Sequence, residues 1–269
     1  MKRILFLLLS AVFAVTLVCM SGCSEGEVGS STPEESEISA VETKKLKIGS
    51  YNIANGREIY WDFKVLADDI VKNELDIVGI QEVDQFCNRS KNSDTMELLK
   101  QYTGMQYYAF FRCIDYDGGE YGTAILSKYP ILETKEIELN DGSQVERRLL
   151  TYAKIDVEGK EINFFNTHLT IKSDSIRADE FKIVAENVKD KNNCILVGDF
   201  NVDAYEEFEV LKPLSYINNP ETDFITHPEG DRKIDNICYS SEFKLVEDCY
   251  GIYQMYHSDH VLLYAEFEY

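Results

Sequence analysis

Basic side chains are in short supply. Lys and Arg number 27 against 48 Asp and Glu, a net charge of −21. Such a surface repels polyanions on average and keeps a chain soluble. It counts against non-specific nucleic-acid binding, which needs Lys and Arg opposite phosphates. It leaves room for a local basic patch, or for an acidic cleft neutralised by a metal. Residues 45–269 hold 24 of the basic and 42 of the acidic residues, a net −18, so the acidity belongs to the main body of the chain. There is no P-loop, no GxGxxG and no internal repeat, which removes the phosphate-cradling glycine loops and the solenoid architectures. The seven cysteines show no metal-ligand spacing, and their irregular placement argues against a disulfide framework. Cys194 and Cys238 sit in strand-like runs and read as small buried residues. Cys87, Cys113 and Cys249 remain, of which a pair could bridge outside the cytoplasm. Histidine is scarcer still, with four in the whole chain. What is present is a hydrophobic content of 44% with 28% charged residues, enough for a globular domain with a real core.

The first residues read as an address rather than as fold. Lys2 and Arg3 precede the apolar run ILFLLLSAVFAVTLV, the form of an export signal. The run is short for a membrane span and stops at Met20-Ser21-Gly22-Cys23, which resembles a bacterial lipobox. On that reading residues 1–22 are a lipoprotein signal peptide. Cys23 becomes the lipidated N-terminus, and several acyl chains tether the protein to a bacterial membrane with its body outside the cytoplasm. An uncleaved anchor is the alternative. Residues 23–44, rich in Ser, Glu, Gly and Thr, form a flexible acidic linker. Residues 45–269 are the folded domain.

Within that domain short strands alternate with amphipathic helices. LKIGSYNI (46–53) and DIVGIQEV (76–83) read as buried strands. Asp62 is placed to cap a helix running to about Glu74, and Ser93 or Asp94 to open another that Gly104 ends. QYYAFFR, YGTAILS, LLTYAKIDV and INFFNTHL follow as strands, then a helix over 174–190, then ILVGDFN, KIDNICYS and VLLYAEFEY. Glu158-Gly159-Lys160 between two strands is a hairpin signal. A plain βαβ repeat has no place for it, so the expected class is α/β of the α+β type, a sandwich built on mixed sheets.

The strand ends share one chemistry. LKIGSYN finishes at Asn52, DIVGIQE at Glu82, INFFNTH at His168, and ILVGDFN at Asp199 and Asn201. Ser258-Asp259-His260 precede the last strand, and Asp235 lies inside KIDNI. Singly, such residues are turn formers and caps. An acid inside a buried run needs a partner, and two of only four histidines stand at these ends. The period of two along a strand would put Asp199 and Asn201 on one side of the chain.

The pieces SYNIANG, DIVGIQEVD, YGTAILSKYPI, NTHL, GDFN, KID and SDH, in this order from about residue 47 to 265, resemble the endonuclease/exonuclease/phosphatase superfamily of metal-dependent phosphohydrolases. The resemblance implies a deoxyribonuclease-I-like, four-layer α/β sandwich of two mixed β-sheets flanked by helices. It implies that Glu82, with Asn52 and Asp259, holds a Mg²⁺ or Mn²⁺ ion. It implies that Asp235 orients His260, that His260 or Asp199 deprotonates the attacking water, that Asn201 holds a phosphate oxygen or the water, and that His168 donates to phosphate. Arg148, with Arg147 as runner-up, and Arg89 are the candidate phosphate contacts; Glu120 is a candidate to orient His168. His257 and His227 read as loop residues. Two departures from the family pattern are Asn236 after KID, where an aromatic is usual, and the lack of a proline after SDH.

The function expected is hydrolysis of a P–O bond by in-line water attack, a phosphodiester first, by an exported, membrane-tethered monomer with no protein partner implied. Nucleic acid, phospholipid headgroup and small phosphoester all stand open as substrates. A surface binding lipoprotein that keeps the fold without turnover is the alternative.

Overall fold

A computed structural model describes residues 43–202 and 204–269. The expected signal peptide, Cys23 and the expected linker as far as residue 42 lie outside the described residues.

The chain opens with β1 (Lys45–Asn52), α1 (Phe63–Lys72), β2 (Ile77–Gln85) and α2 (Thr95–Thr103). Two long strands follow, β3 (Tyr107–Tyr116) and β4 (Gly119–Ser127), then β5 (Ile131–Glu138), β6 (Leu149–Val157) and β7 (Lys160–His168). After α3 (Asp174–Val188) come β8 (Cys194–Asp199), β9 (Ser215–Tyr216), β10 (Asp235–Tyr239), β11 (Lys244–Tyr253) and β12 (Leu262–Glu268). The helix starts behave as capping chemistry requires. The Asp94 side chain accepts the Glu97 N–H, the Ser173 hydroxyl accepts the Ile176 N–H, and Gly104 closes α2 in the left-handed conformation. Asp62 precedes α1 but its side chain makes no capping bond. The hairpin expected at Glu158-Gly159 joins β6 to β7, both residues at positive φ as a tight hairpin turn demands.

Two six-stranded sheets result, ordered β11-β12-β1-β2-β4-β3 and β5-β6-β7-β8-β10-β9. Each contains one parallel pair, β1 with β2 and β7 with β8, among antiparallel neighbours. Those four strands sit inside the sheets and are buried along most of their length, as strands covered on both faces are. One core lies between the sheets, with Ile48, Ile77, Ile125, Phe164, Val197, Leu263 and Phe267. A second packs α1 and α2 on the outer face of the first sheet through Phe63, Leu66, Ile70, Met96 and Leu99. A third packs α3 on the outer face of the second sheet through Phe181, Val184 and Phe200. The molecule is therefore a four-layer sandwich of two mixed sheets flanked by helices.

Polar groups also stitch the sheets together. Asn166 of β7 donates through Nδ2 to the carbonyls of Ile80 and Ala124 at 3.0 and 2.9 Å, and its Oδ1 accepts from Gln81 Nε2 at 2.7 Å. Gly79 makes this approach possible, because a Cβ there would stand 2.2 Å from Val197 Cγ2 of the other sheet.

Candidate active site

The C-terminal ends of β1, β2, β7 and β8 face the same way as the N-terminal ends of β10 and β12, since β10 is antiparallel to β8 and β12 to β1. The polar strand ends therefore meet at one edge of the sandwich, with contributions from both sheets. In register terms His168 stands beside Asp199, and Asp199 beside Asp235.

Asp199 is the hub, and it is buried. Its Oδ2 accepts from Asn52 Nδ2 at 3.1 Å and lies 3.5 Å from His168 Nε2 and 3.6 Å from His260 Nε2. Its Oδ1 accepts the Asn201 backbone N–H at 2.9 Å. Burial first, and then the charge of Asp235, raise its pKa to about 7. His260 Nδ1 lies 2.8 Å from Asp235 Oδ2. Burial opposes the imidazolium charge, but Asp235 and Asp199 outweigh it and raise the His260 pKa to about 10. His260 is therefore cationic at neutral pH, bonded to Asp235 through Nδ1 with its Nε2 facing Asp199.

His168 is held in the opposite state. Burial, followed by the charges of Arg148 and His260, pushes its pKa well below the ordinary histidine value. Arg148 Nη1 lies 3.2 Å from His168 Nδ1. A guanidinium can only donate, so Nδ1 accepts and the proton sits on Nε2, aimed at Asp199. Arg148 thus stands behind His168, anchored to Glu146 Oε1 at 2.7 Å, rather than entering a phosphate site as the resemblance implied. Glu120, a candidate for orienting His168, points away toward Arg112 at 3.9 Å. Arg148 takes that place.

Glu82 reaches the site through a β-bulge. Pairing of β2 with β4 slips between Ile80 and Val83, and Glu82 sits there at φ 56°. Bulges re-aim side chains and cluster at active sites. The Asn52 amide bridges the two acids, giving its second N–H to Glu82 Oε1 at 3.2 Å. Arg57, from the turn that follows β1, pairs with Asp259. It also shares with Glu82 a recess of about 160 Å³ whose other walls include Arg89, Tyr116, Tyr121 and Glu146. Glu82, in β2, and Asp259, in the bend before β12, thus direct charge at one cation. Their carboxylate oxygens are donors of the kind a hard divalent ion takes, while Asn52 faces the acids with its N–H groups and its Oδ1 accepts the Ala54 N–H at 3.0 Å. The Asp199, Asp235 and His260 atoms also lie within 4.8 Å of one another. There the His260 imidazole stands between the acids, bonded through Nδ1 to Asp235 at 2.8 Å and with Nε2 3.6 Å from Asp199, so the trio positions the imidazole.

Three further expectations need revising. β8 ends at Asp199, and Asn201 lies beyond it at φ 54°, so period-two alternation does not place the two residues. Asn201 instead donates through Nδ2 to the Leu169 carbonyl at 2.9 Å. Arg89 grips the buried Asp84 with two bonds of 2.8 Å and stacks on Tyr116, which leaves its guanidinium at the rim of the recess. His257 is no idle loop residue. Its Nδ1 lies 2.8 Å from Asp69 Oδ2, on a buried acid of α1 that also accepts the Tyr51 hydroxyl. This pins the segment leading to Asp259 and His260. His227 makes an edge contact with the His260 ring. Sequence reading missed Arg57, and its only signal there was one basic residue five positions after Asn52.

This fold, with paired acids and imidazoles at the sheet edge, is that of the phosphoester hydrolases that the sequence resembles. The profile of the Endonuclease/Exonuclease/phosphatase family matches residues 49–260, and the chain belongs to that family. Among solved structures it is similar to the mannosyl-6-phosphatase of Bacteroides thetaiotaomicron, at 22% identity and TM-score 0.64, over 83% of this chain and 100% of that one. A Leptotrichia buccalis family member gives 19% identity and TM-score 0.66 over 83% and 100% of the two chains. Truncated TDP2 of Caenorhabditis elegans gives 20% and 0.61 over 84% and 98%. At these identities the likeness concerns the fold. No curated protein matches the chain.

Proposed function

We propose that the domain hydrolyses a phosphoester by direct attack of water, and that it does so as a divalent-metal enzyme tethered outside the cytoplasm through Cys23. The observation that carries the reading is the convergence of His168, His260 and Asn52 on one oxygen of Asp199. Two imidazole N–H groups and an amide surround a carboxylate whose pKa of about 7 suits a general base, and put the donors an anionic phosphoryl oxygen needs next to that base.

In this reading Asp199 takes the proton of the attacking water. His260, kept cationic by Asp235, offers its Nε2–H to a phosphoryl oxygen, and its charge is stabilising as negative charge grows there. His168, locked by Arg148 as the Nε2–H tautomer, offers a second, neutral donor. Asn52 holds Glu82 and Asp199 apart in fixed positions, and Asn201 sets Asp199 through its backbone N–H. Glu82, Asn52 and Asp259 would hold Mg²⁺ or Mn²⁺, which would supply charge stabilisation at the phosphoryl and leaving oxygens. Because His260 starts protonated, Asp199 is the better base of the two weighed from the sequence.

A small phosphoester suits the recess and the acidity better than a polymer does. The similarity to a mannosyl-6-phosphatase points the same way. The test is turnover of bis-p-nitrophenyl phosphate, p-nitrophenyl phosphate, sugar phosphates, plasmid DNA and phospholipid vesicles, by metal-stripped protein resupplied with Mg²⁺ or Mn²⁺. Turnover that Glu82→Ala and Asp199→Asn abolish supports the reading. Silence on every substrate, with intact folding, favours the binding lipoprotein instead.

A further inference from the structure

Among the described residues, Arg57 is the one strong cation paired with a proposed metal ligand, Asp259, and it comes from an unusual place. The turn after Asn52 runs through Asn55 and Gly56 at positive φ, which throws Arg57 back over the strand end. Its Nη2 pairs with Asp259 and its Nε with Glu58 Oε1 at 2.9 Å. The Arg57 side chain is 46% exposed and that of Asp259 16% exposed. A pair this wet contributes little to folding, so the fold does not require the contact. Its geometry allows exchange, because Glu58 is a second acid already in hand when Asp259 is given up.

We infer that Arg57 is a built-in competitor of the divalent cation. Its guanidinium occupies Asp259 in the resting protein, and metal entry displaces it toward Glu58 and the recess it shares with Arg89. This rests on the metal reading of Glu82, Asn52 and Asp259. The argument is one of charge. A guanidinium and a divalent ion cannot share one carboxylate edge without strong repulsion at contact distance, so the two states exclude each other. The protein then binds metal only in the fraction of molecules whose Asp259 is free, and its apparent affinity is reduced by that fraction. The device would lower metal affinity without altering any ligand. It would also deliver a freed guanidinium to the recess only when the site is loaded.

The experiment is a Mn²⁺ titration of the full-length protein, metal-stripped, followed by the electron paramagnetic resonance signal of free Mn²⁺. Melting curves alongside confirm that each variant folds. Arg57→Gln is expected to tighten Mn²⁺ binding up to about fivefold, as it would if Asp259 were free in roughly a fifth of molecules. Glu58→Gln, which removes the alternative partner, is expected to weaken it. Arg57→Lys should stay close to the parent, because a cation still reaches Asp259. Unchanged or weaker binding in Arg57→Gln, with Glu82→Ala abolishing binding, overturns this inference and leaves the metal site standing. Binding that survives Glu82→Ala overturns the metal reading itself, and this inference with it.

Discussion

Asp199 and Asp235 face one another across the pairing of β8 with β10, and the His260 imidazole reaches both, 2.8 Å from Asp235 and 3.6 Å from Asp199. Two buried acids around one imidazole carry a net negative charge in a dry place, which is why one acid gives up its charge more readily than the other. Asp235 has the short bond to the imidazolium; Asp199 has the raised pKa.

The first consequence is a pH profile. If Asp199 is the base, activity rises with pH through about 7, as its carboxyl ionises. Asp199→Asn should lower kcat by about 10²–10⁴-fold, the usual worth of a positioned proton acceptor, and should remove the rise. Stability moves the other way. A carboxyl raised from 3.8 to about 7 on folding means the native state holds the extra proton between those values. The Asp199 contribution to stability is therefore largest below that window and is lost as pH climbs through it. Melting curves and rates across pH 4–9 check both signs.

His260 moves stability in the same direction, over a higher interval. Its pKa rises from 6.5 to about 10 on folding, so its stabilising contribution is complete below 6.5 and disappears as pH climbs toward 10. Asp235→Asn should pull the His260 pKa down and flatten the loss of stability in that interval. Imidazole titration by NMR reads the first effect and pH-dependent melting the second; a His260 pKa unmoved by the substitution would remove Asp235 from this role.

Arg148 is expected to act through His168. Arg148→Met keeps bulk but removes the donor to Nδ1, so His168 loses its fixed tautomer and its pKa should move up, while burial still holds it below the ordinary value. The expected kinetic signature is a fall in kcat with little change in KM.

The His257–Asp69 pair predicts a distant effect. Asp69 lies on α1, outside the pocket, yet it fixes the residue two positions before Asp259. His257→Gln should lower turnover several-fold by loosening Asp259 and His260, and Asp69→Asn should do the same. A variant at either position with parental kinetics would show that the segment holds itself.

The contact between sheets makes a stability prediction. Gly79→Ala forces a methyl to within 2.2 Å of Val197 in a packed interior, and overpacking of this kind costs about 1–3 kcal/mol. Chemical denaturation measures it directly.

Much of this was legible in the residues because buried strands and their polar ends are written locally. LLTYAKIDV became β6 residue for residue, Asp94 and Gly104 bound α2, and the hairpin turn sits at Glu158-Gly159. β5 and β11 went unread because ILETKEIE is mostly exposed, KLVEDCYGIY is mostly half-buried, and both alternate weakly; their pairing partners make them strands, not their own sequences. At the site, residue types and order gave the acids and histidines. They did not give the bulge that turns Glu82, the positive φ that turns Asn201, or the partners of Arg57, Arg148 and His257. Those depend on contacts between segments 20 to more than 200 residues apart, which no local pattern encodes.

The first and last long strands lie side by side, Lys45 against Glu268, while Asn52 ends β1 at the opposite pole. At 3.3 Å per residue, eight residues of strand separate the two poles by about 26 Å. A bead, a fusion partner or a lipid attached at either end of this body would therefore grip it by its base and leave the pocket looking outward. The same neighbourhood of ends invites a circularly permuted version, closed by a short link there and opened at Glu158-Gly159, a surface turn at the same pole whose Glu158 pairs with Lys44 at 2.9 Å, with its catalytic rim untouched.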